Sequence, residues 1–377
     1  MVLNFRGIKI AIQSADLDHN RIDGTRVYIL NLLKNFGGLD QSSEFLIYHK
    51  DNFNPELRPP DFLNYKIRKI PFPFSWTQLR FAAEIWKDKP DVLWMPMQTL
   101  PYLRRKKLKT AITIHDLAFK YFPENFTQKD LRRLNFFSGY AIRNSDKIIA
   151  VSESTKKDIL KFYPEVKPEK IKVIYHGFDW ELFSAERNFK DENRLKSRLG
   201  IKNKYILYVG AIQPRKNLVM LINAFELVKK AYPEVQLVLA GEKAWQWENT
   251  IKKAKNSLFV ADIILSGKLK FDDLGHLMRG ASMFVLPSLY EGFGIPVLEA
   301  MASRIPVIAA NNSSLREVGG SAALYFDANN SGALAELIAK LLSNPELSGQ
   351  LVKRGLEQIK KFSWEKCARE TLSYLKN

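Results

Sequence analysis

The stretch from Ala281 to Ser303 constrains this chain more than any other. Four apolar residues, Met283–Leu286, run straight into Pro287, which suits a strand buried on both faces. Gly292 and Gly294 then allow a tight turn and leave backbone N–H groups uncovered by side chains. Pro296 stands at an opening helical position, followed by Val297, Leu298, Ala300 and Met301 on an apolar helix face. A strand, a glycine turn and a helix N-terminus in this order form the usual anion-binding corner of a parallel α/β sheet. Glu291 and Glu299 frame that corner. Glutamates eight positions apart occur four times in the chain, and only this pair straddles a glycine turn between strand and helix. Context, not spacing, carries the signal.

The rest of the chain alternates strand and helix signals. Ile8–Ile12 reads as a first strand and Val27–Phe36 has helical apolar spacing, so Gly24 between them is a phosphate-loop candidate. Asp16 and Asp18 lie in that first loop and read as polar loop. Phe45–Tyr48, Leu79–Trp86 and Val92–Met95 continue the alternation, and Thr110–Ile114 forms a buried strand that ends at His115. A histidine there faces the ligand crevice of an open sheet, although that position alone does not make it functional. An amphipathic helix over Gln128–Asn144 carries Arg132, Arg133 and Arg143, and the strand Lys147–Ser152 leads into a helix cap. Residues 180–203 are charged with few apolar positions, the composition of a linker. Tyr205–Gly210 is then a clean strand, with Arg215 and Lys216 in the loop before the helix Leu218–Lys230. That basic pair could neutralise a diphosphate or simply face solvent. Val235–Gly241, Ile263–Ser266 and Pro306–Ala309 read as further strands, and Asn311–Ser314 as the cap of a short helix. Helices over 330–343 and 345–361 precede a last one.

Pro287 to Met301, together with Thr113–Leu117, resembles the signature of glycosyltransferase family 4 (the group 1 glycosyltransferases), retaining sugar transferases of GT-B fold. The resemblance implies an α/β chain of two Rossmann-like domains facing across a cleft. Residues 1–179 would form the acceptor-binding domain, 180–203 the linker and 204–361 the sugar-nucleotide domain, with the helix in 362–377 returning to the first domain. It also implies site roles. Glu299 would bind the donor ribose. Glu291, with the amides of Gly292, Phe293 and Gly294, would bind the donor sugar, which His115 also touches. Gly24 and Lys216 would meet the diphosphate. Many relatives carry arginine where Ala211 stands, so Arg215, abutting Lys216, is expected to supply the missing guanidinium from the other end of the loop. Arg304 replaces a frequent glycine and His176 a frequent asparagine; His176 is taken as structural.

The expected reaction is transfer of a hexosyl group, mannose or glucose by family frequency, from a nucleoside-diphosphate sugar to an acceptor hydroxyl, with retention. Catalytic roles fall to His115, Glu291 and Lys216. No cofactor beyond the donor is expected, and no metal, because no carboxylate or His/Cys cluster has ligand spacing. A sugar-nucleotide epimerase or a non-catalytic binding protein of the same architecture are the alternatives. The acceptor is expected to be a cell-surface or lipid-linked glycan.

Composition narrows the setting. Cys367 is the only cysteine among 377 residues, which excludes intramolecular disulfides and cysteine-cluster metal sites. No apolar run reaches the roughly eighteen residues that a membrane span needs, and the N-terminus lacks the apolar segment of a signal peptide, so a cytoplasmic location is expected. The net charge of +18 is divided as +10 in residues 1–180 and +8 in the remainder. Its densest cluster, Arg104–Lys109, suits either anionic membrane at the inner face of the cell or a solvated loop. No nucleic-acid-binding motif accompanies it.

Overall fold

The computed structural model describes residues 7–377. Residues 1–6, on which the reading of the N-terminus partly rests, lie outside the described residues. The chain divides into two compact units, one running to Tyr121 and comprising also Phe126–Gly177 and Phe362–Asn377, the other comprising Phe122–Asn125 and Phe178–Lys361.

The first unit is built on seven strands: β1 Lys9–Gln13, β2 Glu44–His49, β3 Tyr65–Lys69, β4 Val92–Met95, β5 Lys109–Ile114, β6 Lys147–Ala150 and β7 Ile171–Val173. They pair in the order β3-β2-β1-β4-β5-β6-β7, all in parallel. Ile10 lies between Phe45 on β2 and Val92 on β4, which fixes the register of the central strand. Every residue of β2 and β4 is buried; β4 is apolar throughout, and β2 is apolar between Glu44 and His49. The helix Gly24–Leu39 follows β1, and the last helix, Trp364–Lys376, packs on it within the same unit.

The second unit carries six parallel strands, β8 Tyr205–Val209, β9 Gln236–Ala240, β10 Ile263–Gly267, β11 Met283–Leu286, β12 Val307–Ala310 and β13 Ala323–Phe326. Their order is β10-β9-β8-β11-β12-β13. In both sheets the order reverses beside the first strand, between β1 and β4 and between β8 and β11. Such a reversal opens a crevice at the strands' C-terminal ends, because the two connecting helices leave on opposite faces.

Residues 180–203, expected as a linker, instead contain two helices of the second unit, Trp180–Ser184 and Phe189–Leu199. The first buries Phe183, the second Leu195 and Glu192, with Arg187 reaching the Glu192 carboxylate at 2.5 Å. One or two well-placed apolar side chains per turn suffice to seat a helix, so overall polarity is a poor guide there. Asp18 is also settled: its carboxylate accepts from the backbone N–H groups of Lys50 and Asp51 and lies 3.1 Å from His49 Nδ1, a structural role in line with the polar-loop reading.

Candidate functional site

The loop after β8 and the loop after β11 meet at the crevice of the second sheet. Pro214–Lys216 forms a 3₁₀ turn, ended by Asn217 in the left-handed region at φ 56°, whose side-chain amide donates to the Ala328 carbonyl at 2.7 Å. The backbone N–H of Leu289 donates to the Arg215 carbonyl at 2.9 Å, so the two loops are joined through their main chains. Both cations then turn toward Glu291. Lys216 Nζ stands 2.5 Å from Glu291 Oε1, which also accepts from Ser288 Oγ at 2.6 Å. Arg215 donates to the Tyr290 carbonyl at 2.5 Å and lies 3.4 Å from Glu291 Oε2.

Glu291 is only 7% exposed. Burial alone would raise its carboxyl above the ordinary range; the charges of Lys216 and Arg215, with hydrogen bonds from Lys216 and Ser288, outweigh that and hold it below. The group is therefore an ionised carboxylate between two cations.

A third loop, after β12, fixes the turn that carries Glu291. Its Asn312 side chain donates to the Ser288 carbonyl at 2.9 Å, Ser313 Oγ accepts from the Glu291 N–H at 2.9 Å, and Ser314 Oγ lies 2.9 and 2.7 Å from the Glu291 and Phe293 carbonyls. The stretch was expected to cap the following helix. Ser314 does precede Leu315–Gly319, but its hydroxyl makes no capping bond and is committed to the Glu291 turn instead. These residues escaped the sequence reading because Asn-Asn-Ser-Ser before a helix already has a sufficient local explanation.

Gly294 ends the turn at φ 104°, where a side chain is strained, and a Cβ there would also press within 2.8 Å of Leu315. Gly292 does not adopt positive φ, so of the two turn glycines only Gly294 is demanded by the backbone. The helix Ile295–Ala302 starts directly after it, and its first N–H groups have no acceptor one turn back within the helix. One helical turn on, Glu299 is half-buried, and burial, helped by the negative charge of Asp179, pushes its carboxyl up to about 8. Among the described residues no donor or cation pairs with that carboxylate.

In the first unit, His115 follows β5 and its Nε2 donates to the Pro96 carbonyl at 2.9 Å, which leaves Nδ1 as the acceptor nitrogen. Tyr28, on the helix that Gly24 opens, meets the His115 ring edge-on with centroids 5.0 Å apart. Desolvation lowers the His115 pKa, opposed by that carbonyl and by Asp116, Asp23 and Asp16, so the ring is neutral. Gly24 is the first residue of its helix, capped by Asp23, which accepts from the Arg26 N–H. The structure thus gathers Arg215, Lys216, Glu291 and Gly292–Gly294 at one corner of the second unit, with Glu299 on the adjoining helix. His115 lies beside the Gly24 helix in the first. His176 is buried against Tyr28 and Trp364, and desolvation, with His115 nearby, depresses its pKa strongly; it packs in the core. Among the described residues no group of three or more His, Cys, Asp or Glu is placed to hold a metal ion.

Known proteins resemble this chain in sequence and in fold. Residues 189–358 match the family of glycosyl transferases group 1, and residues 22–182 match glycosyltransferase family 4. The chain is 29% identical to O-antigen chain mannosyltransferase B of Escherichia coli over 73% of this chain and 72% of that one. It is 33% identical to an uncharacterised glycosyltransferase of Methanocaldococcus jannaschii, covering 69% and 68% respectively. Anabaena HepE, crystallised with UDP and glucose, superposes with a TM-score of 0.74 over 98% of this chain and 99% of its own at 18% identity, a likeness of fold. With its two parallel sheets of seven and six strands, the chain belongs to the group 1 glycosyltransferases of GT-B fold.

Proposed function

We propose that the protein transfers a hexosyl group from a nucleoside-diphosphate sugar to an acceptor hydroxyl with retention at the anomeric carbon. The observation that carries this reading is the buried Glu291 carboxylate clamped between Lys216 and Arg215 at the sheet's switch point, beside a helix N-terminus. As the glycosidic bond to the diphosphate breaks, negative charge builds on the leaving phosphate while the sugar becomes oxocarbenium-like. Preorganised cations and backbone N–H groups stabilise that charge more strongly in the transition state than in the ground state. Lys216, Arg215, the turn amides of Gly292–Gly294 and the Gly24 amide take this role. Glu291 orients the donor sugar and keeps the Lys216 ammonium in place before the donor arrives. It forms no durable covalent bond to sugar; the departing phosphate assists the acceptor on the same face. Glu299 accepts from the ribose hydroxyls, and the neutral His115 contacts the donor sugar.

The mannosyltransferase relative supports a mannose donor, and HepE, which holds UDP and glucose, a glucose one. An acceptor in cell-surface or lipid-linked glycan synthesis fits the O-antigen relative. A donor screen on the purified protein tests the reading. Free nucleoside diphosphate should form only when acceptor is added, and the product's anomeric proton coupling should match that of the donor. Release of nucleotide from donor alone with epimerised sugar would point to the epimerase alternative, and no turnover with any donor to a binding protein.

A further inference from the structure

We infer that Trp245, on the loop between β9 and the helix Glu248–Lys255, is the platform on which the donor's nucleobase stacks. The inference rests on the proposed reading, which puts the diphosphate at Arg215 and Lys216, the sugar at Glu291 and the ribose at Glu299, and gives the base no partner. β9 is the neighbour of β8 on the side away from β11. Their pairing runs on past the ends of the strands. The Gly210 N–H donates to the Ala240 carbonyl at 2.9 Å, the Ile212 N–H to the Glu242 carbonyl at 2.9 Å, and the Ala244 N–H to the Ile212 carbonyl at 3.0 Å. A Cβ on Gly241 would stand 1.9 Å from the Gly210 carbonyl oxygen, so the two loops approach more closely than a side chain there allows. Residues 241–244 are thereby fastened to the start of the loop that carries the two cations, and Trp245 follows at once.

Two tryptophans stand on this loop, and they are held differently. Lys243 lays its ammonium over the Trp247 ring, 4.2 Å from the centroid, and Trp247 is half-buried. Trp245 is 46% exposed, and among the described residues its indole has no hydrogen bond, ion pair or ring contact. Gln246 separates the two rings in the left-handed region, at φ 50°, a conformation uncommon for a residue other than glycine. A large ring left bare on a loop pinned by main-chain bonds adds nothing to the core. It does suit a flat ligand that arrives with the diphosphate. A nucleobase offers a π face of matching size, and stacking on it needs no particular pattern of donors and acceptors. One extended ligand is then held by cations at its phosphates and by an indole at its base. Since every base has such a face, Trp245 supplies affinity and leaves the choice of base to other contacts.

The test is calorimetric titration of the whole protein with UDP, GDP and inorganic pyrophosphate. Trp245→Ala should weaken whichever nucleotide the parent binds by about 5- to 150-fold, the loss expected when a stacked aromatic is cut to alanine. If the parent binds both nucleotides, the two losses should be similar, and pyrophosphate affinity should stay parental. Trp245→Phe keeps a ring and should recover much of the nucleotide affinity. Nucleotide should also quench the parent's tryptophan fluorescence, and the quenching should shrink in Trp245→Phe although nucleotide still binds. The indole is exposed, so an unchanged melting temperature confirms that the variants fold. Parental nucleotide affinity in Trp245→Ala overturns the proposal, and a raised acceptor KM alongside it would give the ring to the acceptor. An equal loss for pyrophosphate overturns it too, by making the loop a brace for the cations. A parent that binds neither nucleotide fells the transferase reading and this inference together, whereas nucleotide binding that survives in Trp245→Ala fells this inference alone.

Discussion

The two cations beside Glu291 are held differently, and the difference makes their roles separable. Lys216 places its ammonium on the carboxylate, whereas Arg215 shares its guanidinium between the Tyr290 carbonyl and Glu291 and is 19% exposed, so it does not point into solvent. Loss of one charge-assisted contact to a diphosphate costs about 1.5–3 kcal/mol, roughly ten- to a hundredfold in rate. Arg215→Ala should therefore approach the loss in kcat/KM of Lys216→Ala, and Arg215→Lys should recover only part of it, since an ammonium lacks the planar fork. Transfer at the parental rate by Arg215→Ala would mean that Ala211 marks a phosphate ligand lost outright. Glu299 makes a prediction about pH. Its carboxyl, pushed up to about 8 from an ordinary 4.5, holds its proton in the folded chain where the unfolded chain has released it. Stability is then lost as pH rises from the ordinary carboxyl range to about 8, and levels off above. Glu299→Gln keeps the neutral shape, so its melting temperature should exceed the parent's near pH 9 and match it near pH 4. A parental curve at both would show that the carboxyl ionises normally. If the ribose takes the ionised form, donor affinity of the parent should also climb toward pH 8 while the variant's stays flat.

Each loop at the second sheet's crevice depends on its neighbours for shape. Ser314 lies fully buried with its hydroxyl against two carbonyls of the Glu291 turn. Ser314→Ala strips that turn of its support at a cost of about 1–3 kcal/mol. It should raise the donor KM as well as lower the melting temperature, and a drop in stability with an unaltered KM would make the loop a mere brace. Gly294→Ala forces a side chain into φ 104° against Leu315, a strain of about 1–3 kcal/mol, with the same pair of readouts. Much of this corner is legible in the sequence, because a short apolar run, a proline, glycines and a helical pattern each have a local physical cause. The Ser313 and Ser314 contacts are not, since they join residues more than twenty positions apart, and nothing local distinguishes them from a cap. The strand β3 went unread for a related reason. It is a sheet edge, and Tyr65–Lys69, with three of its five residues basic, lacks the apolar run that a central strand shows. The helices of 180–203 were hidden likewise: their seating rests on Phe183 and Leu195, two residues in a charged field.

Each unit has its own core, and the last helix belongs to the first one. Trp364 is 7% exposed and lies 5.6 Å from His176 and 6.3 Å from Tyr28, centroid to centroid. A Cβ on Gly177 would stand 2.1 Å from the Trp364 backbone nitrogen, so the approach is close enough to require glycine there. Farther along, Tyr374 donates its hydroxyl to the Lys170 carbonyl at 2.7 Å, and its own carbonyl accepts from Lys147 Nζ at 2.7 Å. The helix thus completes the aromatic group of Tyr28, Trp94 and His176 from a point far away in the sequence. Replacing a buried tryptophan by alanine costs about 3–5 kcal/mol, through lost burial and the cavity left behind. Chains of two units need not unfold as one, so that cost should appear where the cavity is. In Trp364→Ala, deuterium uptake should rise in peptides covering β1, β4 and β5, the strands beside Tyr28 and Trp94, while peptides covering β8 and β11 keep parental protection. On the proposed reading, in which Lys216, Arg215 and Glu299 of the second unit supply most of the nucleotide contacts, nucleotide affinity should change little even where turnover falls with His115. An equal rise in uptake across both sheets would show instead that the units unfold as one cooperative block, and nucleotide binding would then weaken together with stability.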